Sequence, residues 1–198
     1  GAPLAPVVAD FLSAATELRI NGEELEFLQR SLASDALAWN QEFGLARDVS
    51  GLVAEKNVLR YRPVPVTVRA EGDSTAALLR VIGTGVLARS HVTVSTPEPL
   101  EPAVAGLLHA HGVTCRVEDA QAWRNTLHSN PPARVRLLGG TREDFAAASD
   151  GRVDVALYAQ PVVEAGRIEM LTFLREQAVS VTAHRFGSPT ALTEGLFA

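Results

Sequence analysis

Apolar positions along the chain change rhythm several times, and each change marks an element. Short runs rich in β-branched residues occur at Val64–Arg69, Val92–Thr96, Val113–Val117, Arg134–Leu138 and Val153–Tyr158. Between them lie stretches with helical apolar spacing: Ser74–Arg89, Glu101–His111, Ala120–Leu127 and Arg142–Ala148. Strands that alternate with helices over short connections predict a parallel sheet with helices on its faces. The crossovers are expected to be right-handed. The predicted class is therefore α/β, a Rossmann-like parallel sheet flanked by helices.

Both ends depart from that rhythm. Pro6–Leu18 and Glu23–Phe43 read as amphipathic helices, separated by Asn21-Gly22. In the second, Leu25, Phe27, Leu28, Leu32, Leu37 and Trp39 make the apolar face, and Gly44 is expected as a left-handed C-cap. Two such helices need another surface on which to bury their apolar faces. Val53–Tyr61 reads as an extended connection or edge strand. Ile168–Arg175 reads as a helix. Ala178–Phe186 alternates Val179, Val181 and Ala183 with Ser180, Thr182 and His184, the period of a strand or ribbon. With no helix behind it, this last run suits an arm or flap. The expected division is 1–50, a helical linker or docking segment; 51–177, the Rossmann-like unit; and 178–198, the β-flap and tail.

Composition narrows the function classes. The chain has 198 residues, 46% apolar and 21% charged, with a net charge of -5. That balance gives no electrostatic reason to expect nucleic acid. No apolar run is long enough for a membrane span, and no secretory leader is evident. One cysteine, Cys115, excludes an internal disulfide and fits a reducing, cytoplasmic setting. Among the 18 basic residues, Lys56 is the sole lysine, so any Schiff base or phosphate-binding lysine would have to be this one. The start at Gly1, without methionine, is expected of a fragment of a longer polypeptide.

The chemistry that a nucleotide-binding sheet should carry is hard to place. Gly83-Thr84-Gly85 resembles the opening of a dinucleotide fingerprint, but lies inside a helical pattern rather than at a strand-to-helix turn. Tight helix packing explains it better. Gly139, Gly140 and Thr141 are better placed, after one strand and before a helix, and form the alternative cofactor site. Thr141 with Asp144 reads as an N-cap, and Glu143 and Asp144 in the first turn disfavour a phosphate. His109 and His111 point in different directions on a helix and lack a fourth ligand with Cys115, so no zinc site is expected. Cys115, between apolar neighbours, reads as a buried, inert thiol. Ser180, His184 and Asp154 offer triad residue types without a nucleophile elbow. Arg175-Glu176-Gln177 and His184-Arg185-Phe186 gather arginine and aromatic side chains, the usual anchors of an interface. The expected interface residues are Arg175, Val179, Val181, His184, Arg185 and Phe186, and no catalytic residue or metal ligand is expected.

Three segments carry a family resemblance: GLVAEKNVLRYRPVPVTVR (Gly51–Arg69), VRLLGG (Val135–Gly140) and FLREQAVSVTAHRFGSP (Phe173–Pro189). They resemble the C-terminal part of bacterial bifunctional proline catabolic enzymes of the proline utilization A type, over roughly residues 20–189. Some of these enzymes carry an extra C-terminal domain of aldehyde dehydrogenase-superfamily fold, and the match is to that domain. GVLARSHVTVSTPEPL (Gly85–Leu100) parallels the segment that ends in the family's NAD-ribose lysine, whose place holds Ser95 or Thr96 here. The catalytic thiol motif has no counterpart, and the glutamate base cannot be placed. The resemblance implies a degenerate, non-catalytic domain without a cofactor of its own, in a parent that uses NAD and FAD. Its implied partner is the aldehyde dehydrogenase module of the same polypeptide, with the Ala178–Phe186 flap helping to close a tunnel for the intermediate. An NAD-binding remnant and a homo-oligomerisation module pairing through the ribbon remain as the alternatives.

Overall fold

Alternation of Val66, Val68 and Ala70 with Thr67 and Arg69 puts the three apolar side chains on one face of a strand, where they are buried. This strand, β3 (Val66–Ala70), is the centre of a five-stranded parallel sheet in a computed structural model that describes residues 5–18, 20–52, 55–72 and 74–182, and the backbone of 184–185 and 188–189. The other strands are β4 (Val92–Thr96), β5 (Thr114–Val117), β6 (Arg134–Leu138) and β7 (Ala156–Tyr158), in the order β5-β4-β3-β6-β7. They alternate with α3 (Thr75–Leu87), α4 (Pro102–Ala110), α5 (Ala120–Ser129) and α6 (Arg142–Ala148). The predicted α/β class is thus observed.

Each helix start has a chemical cause. Ser74, Asp119 and Thr141 accept backbone N–H bonds from Ala77, Ala122 and Asp144, and α4 begins with Pro102, whose missing N–H costs nothing at that position. Asn21 closes a full capping box with Glu24 at the start of α2 (Gly22–Ala38).

One face of the sheet carries the main core. Val66, Val68, Val92 and Val94 pack with Leu79 and Ile82 of α3, Leu108 of α4, Phe11 of α1 (Pro6–Thr16), and Leu28 and Leu32 of α2. The two N-terminal helices therefore bury their apolar faces in the same cluster as the sheet. The opposite face holds a smaller cluster of Trp123, Leu127, Val135, Leu137, Phe145 and Val155 under α5 and α6.

A second, antiparallel sheet stands beside this unit. It is built from β1 (Arg47–Asp48), β2 (Glu55–Pro63) and β8 (Leu174–Thr182), in the order β1-β2-β8. β2 and β8 pair over nine residues each, from Glu55↔Thr182 to Pro63↔Leu174, and form a long arm. Val179 and Val181 are partly covered while Ser180 and Thr182 are exposed, the alternation predicted for this segment.

Several boundaries differ from expectation. Val53–Tyr61 is not the expected connection or edge strand; its described part belongs to β2 (Glu55–Pro63), a central strand, because β1 takes its other side. Ile168–Arg175 is not one helix. It divides into α7 (Gly166–Glu169), a 3-10 turn at Met170–Thr172, and the start of β8. Only Met170, Phe173 and Leu174 of its apolar residues are buried, whereas Ile168 and Leu171 face outward, so the short turn satisfies the apolar spacing and strand pairing with β2 takes the rest. Val153, fully exposed at 98%, lies before β7. Gly44 is not a left-handed cap. Its φ is -82°, and it follows a π-helical turn, Trp39–Phe43, with its N–H bonded to the Trp39 carbonyl. Glycine is needed there because a Cβ would lie 2.7 Å from Trp39 Nε1. Leu37 is 47% exposed, and the polar Ser31 and Asp35 take its place on the buried face of α2.

His184 and Arg185 form β9, paired with β10 (Ser188–Pro189). Their side chains, and Phe186, lie outside the described residues.

Candidate functional site

In an open α/β sheet the ligand crevice lies at the carboxyl ends of the strands, where the chain reverses its direction across the sheet. Here the chain runs from β3 outward to β5 and returns on the other side at β6, so the reversal falls between β3 and β6. The residues that follow these strands are Glu71, and Gly139 with Gly140. Parallel register puts Thr67 beside Thr93 and Arg69 beside Ser95, so the β3–β4 half of this face is polar.

That half is closed by a single network. Arg69 is wholly enclosed; its Nε donates to Glu71 Oε1 at 2.7 Å, and its Nη1 donates to Ser95 Oγ at 3.0 Å and to the Glu118 carbonyl at 2.7 Å. Ser95 Oγ donates to Glu118 Oε2 at 2.7 Å, and Thr126 Oγ1 donates to Glu118 Oε1 at 2.5 Å. The Arg69 guanidinium stacks over Trp123, 5.1 Å from the ring centre. Every buried charge has a partner, the condition under which such groups are tolerated. Ser95, one of the two residues at the expected lysine position, is thus engaged with Arg69 and Glu118. Thr96 is buried, and its carbonyl accepts from the Glu118 N–H.

The glycine turn beside this network is equally full. Gly139 has a φ of 77°, a conformation that favours glycine. A Cβ at Gly140 would lie 2.8 Å from Glu71 Oε2. Thr141 caps α6 as expected: its hydroxyl accepts the Asp144 N–H at 3.0 Å and donates to the Asp144 carboxylate at 2.6 Å. Between Glu71, Trp123, Leu137, Asp144, Phe145 and Ala148 there remains about 30 Å³, room for about one water molecule. The carboxylates of Glu71, Glu143 and Asp144 surround a turn whose amides would otherwise attract an anion.

The remaining candidates are not brought together. Gly83 and Gly85 are packing glycines: a Cβ would lie 2.6 Å from Leu32 Cδ2 at the first and 2.8 Å from Phe173 Cε1 and Val92 Cγ2 at the second. Thr84 donates to Asp35 at 2.8 Å. His111 bonds the Leu107 carbonyl and packs edge-on against Phe11, and no group of three potential metal ligands occurs among the described residues. Lys56 pairs with Asp48 at 3.7 Å. Ser180 donates to Asn57 at 2.6 Å on the arm, while Asp154 is held by Arg152 at 2.8 and 2.6 Å. Cys115 is not buried as expected. It is exposed, because β5 is the edge strand and all four of its residues face outward to some degree. Partial desolvation still pushes its thiol above the ordinary range, so alkylation by iodoacetamide at neutral pH should go to completion but more slowly than for free cysteine.

Arg152 gives an electrostatic check of this region. Its hydrogen bonds lower the Asp154 carboxyl below the usual range. A lowered acid contributes stability that is present above its unfolded value and is lost as pH falls through the folded one. Arg152→Ala should therefore move the Asp154 titration, followed by carboxyl carbon NMR, up toward about 3.9. An unmoved titration would show that the pair does not persist in water.

Residues that carry these networks were not singled out by the sequence. Arg69, Arg80 and Arg136 are the largest wholly enclosed side chains. Arg80 pairs with Asp35 at 2.6 Å, and Arg136 with Glu169 at 2.9 Å.

Set against solved structures, most of the chain superposes on parts of larger proteins. Proline utilization A from Corynebacterium freiburgense matches over 95% of this chain and 16% of its own, at 28% identity and a TM-score of 0.61. A mutant of proline utilization A from Bradyrhizobium japonicum matches over 68% and 15%, at 20% identity and 0.55. An NAD-dependent benzaldehyde dehydrogenase from Corynebacterium glutamicum matches over 80% and 41%, at 13% identity and 0.52. The fold is aldehyde dehydrogenase-like. The chain spans about a sixth of the length of the proline utilization A chains it matches. No family model matches the chain, and no curated protein does. No helix among the described residues is long and apolar enough to cross a membrane.

Proposed function

We propose that this chain is a non-catalytic, aldehyde dehydrogenase-like domain of a bifunctional proline catabolic enzyme of the proline utilization A type. One observation carries the reading. The crevice where such a fold would hold a dinucleotide is filled by the Arg69–Glu71–Ser95–Glu118 network under Trp123. A lysine for the ribose and an open phosphate turn are both missing there. The chemistry of the parent, FAD-dependent oxidation of proline and NAD-dependent oxidation of L-glutamate γ-semialdehyde, would reside in other modules. The β2–β8 arm then serves as a docking element that helps to close the path of the intermediate between those sites, in the cytoplasm.

Deleting the arm in the parent should leave each half-reaction active and slow the coupled reaction, with intermediate escaping to a trapping reagent. Unchanged coupling would sink the lid role. The NAD-binding alternative makes a separate demand on the isolated chain. A cofactor at about 100 times its dissociation constant would stabilise it by about 2.7 kcal/mol. We expect no thermal shift at millimolar NAD. A shift abolished by Gly139→Ala or Thr141→Val would revive the phosphate turn. The oligomerisation alternative draws on the outer edge of β8, which has no partner strand among the described residues; concentration-dependent mass in solution would favour it.

A further inference from the structure

The arm concentrates positive charge in a way its own fold does not need. Register places Arg62 directly opposite Arg175, and Arg60 opposite Gln177 on the same face. Like charges directly across a strand pair oppose pairing. Arg60 donates to Gln177 at 2.8 Å. Arg62, Arg175 and, at the end of α3, Arg89 are exposed, and no ion pair is made by any of the three among the described residues. Arg89 adopts a φ of 57°, unusual for a residue with a side chain.

Arg62 and Arg89 border a groove, and Arg175 stands across the strand pair from Arg62. Arg60, Arg62 and Arg89 line an open space of about 610 Å³ with Trp39, Phe43 and Tyr61, between the arm and the π-helical turn that ends α2. Phe43 and Tyr61 meet edge to face at 4.8 Å and fix one wall. The carboxylates at the base of the arm are already engaged. Glu42 takes Arg167 at 2.5 Å and the Tyr61 hydroxyl at 3.3 Å, and Glu176 takes the same hydroxyl at 3.5 Å. Burial and these two carboxylates together push the Tyr61 hydroxyl above its ordinary range, so it remains a donor at neutral pH.

The geometry points to a docking groove for an extended acidic segment of the parent polypeptide. Its carboxylates would pair with Arg62, Arg89 and Arg175, and its backbone would lie along the aromatic wall. This rests on the reading that the arm docks on another module, and it names the chemistry of the surface met there. Charge complementarity selects the occupant. Guanidinium forks bind carboxylates in two-point contacts, and an acidic strand removes the Arg62–Arg175 repulsion that the isolated arm bears. The space is several times what a single inorganic ion fills and matches the size of ordinary ligand clefts.

Hexaglutamate titrated into this chain tests the groove, with tryptophan fluorescence as the readout. Trp39 lines the groove, whereas Trp123 is buried in the second core cluster. A saturable change is expected that weakens about tenfold between low and moderate salt, as exposed charge pairs do. It should vanish in the Trp39→Phe protein and in Arg62→Glu/Arg89→Glu/Arg175→Glu. If the reversal variant fails to fold by circular dichroism, Arg62→Gln/Arg175→Gln replaces it, with a severalfold loss expected. No fluorescence change at millimolar peptide, or equal binding to the charge variants, overturns the proposal. Inorganic phosphate that displaces the peptide at equal concentration would make this a simple anion site and overturn the peptide assignment. Concentration-dependent dimerisation abolished by the same variants would assign the groove to a second copy, with the same result. The two readings fail separately: unchanged coupling on arm deletion sinks the docking role, whereas coupling lost on arm deletion but kept in the charge-reversal variant sinks the acidic contact alone.

Discussion

Replacing Asp35 with alanine should cost about 3–5 kcal/mol of folding stability, the penalty for stranding a buried charge. Asp35 and Arg80 are both wholly enclosed, at 2.6 Å from each other. Arg80 also donates to the Val163 and Glu164 carbonyls and to Thr84. These contacts place the guanidinium at the junction of α2, α3 and the loop before α7. Among the described residues the carboxylate supplies the only full negative charge bonded to it, so alanine leaves a buried cation held by neutral acceptors without a counter-charge. Burial raises the Asp35 carboxyl above its ordinary value, against the pull of Arg80, which marks how completely water is excluded. The companion double variant, Asp35→Leu/Arg80→Met, should recover most of the loss, since apolar replacement of a whole buried pair is often near neutral. Urea unfolding followed by circular dichroism measures both. A single variant that loses less than about 1 kcal/mol would mean that Arg80 finds water or another acceptor.

Phe173→Ala should cost a comparable amount, about 3–5 kcal/mol, as for other fully buried aromatic truncations. Phe173 is wholly enclosed, and its ring lies against Gly85 of α3. Its carbonyl accepts the Val64 N–H at 2.9 Å. The side chain is therefore the peg that roots β8 in the core just before the arm leaves it. Beyond the drop in urea midpoint, amide exchange should rise along β2 and β8 more than in β3 or β4. Equal exchange in both sheets would mean that the arm does not depend on this contact. Gly85→Ala should cost less in this background than in the unmodified protein, because the Phe173 ring is gone and only the clash with Val92 remains. On the unmodified protein the same change is destabilising, since the Cβ would stand 2.8 Å from both Phe173 and Val92.

The strand and helix order of the α/β unit was legible because both of its periods are strong. Val92–Thr96, Arg134–Leu138 and Arg142–Ala148 fall where their apolar spacing puts them. The arm was half legible. Alternation at Val179 and Val181 marked β8, but the apolar run at Met170–Leu174 imitated a helix, and only tertiary pairing with β2 decides otherwise. Gly44 shows the same limit: its position fits a cap, but its cause is the indole of Trp39. The polar interior was not legible at all. Arg69, Arg80 and Arg136 fall in elements whose patterns assign charged residues to solvent, and each is buried because a distant partner meets it: Ser95, Asp35 and Glu169. No local spacing encodes a pair 45 residues apart in sequence, as Arg80 and Asp35 are. Cys115 was misplaced for a related reason. Edge and central strands look alike until the strand order is known.

The arm also fixes the order in which this chain can assemble. Residues 55–63 pair along their whole length with residues 174–182 and meet β1 over two positions alone among the described residues, and the entire parallel sheet is threaded between β2 and β8. Closing so long a loop first would cost entropy before any contact repaid it. Once the α/β unit has formed, Pro63 and Leu174 already stand side by side and the strands can zip outward. On a ribosome the long pairing of the arm is thus formed late, and until then β2 has only the two-residue β1 beside it among the described residues. A slow folding phase seen by a probe on the arm, but absent from the fluorescence of Trp123, would be the kinetic signature of that order.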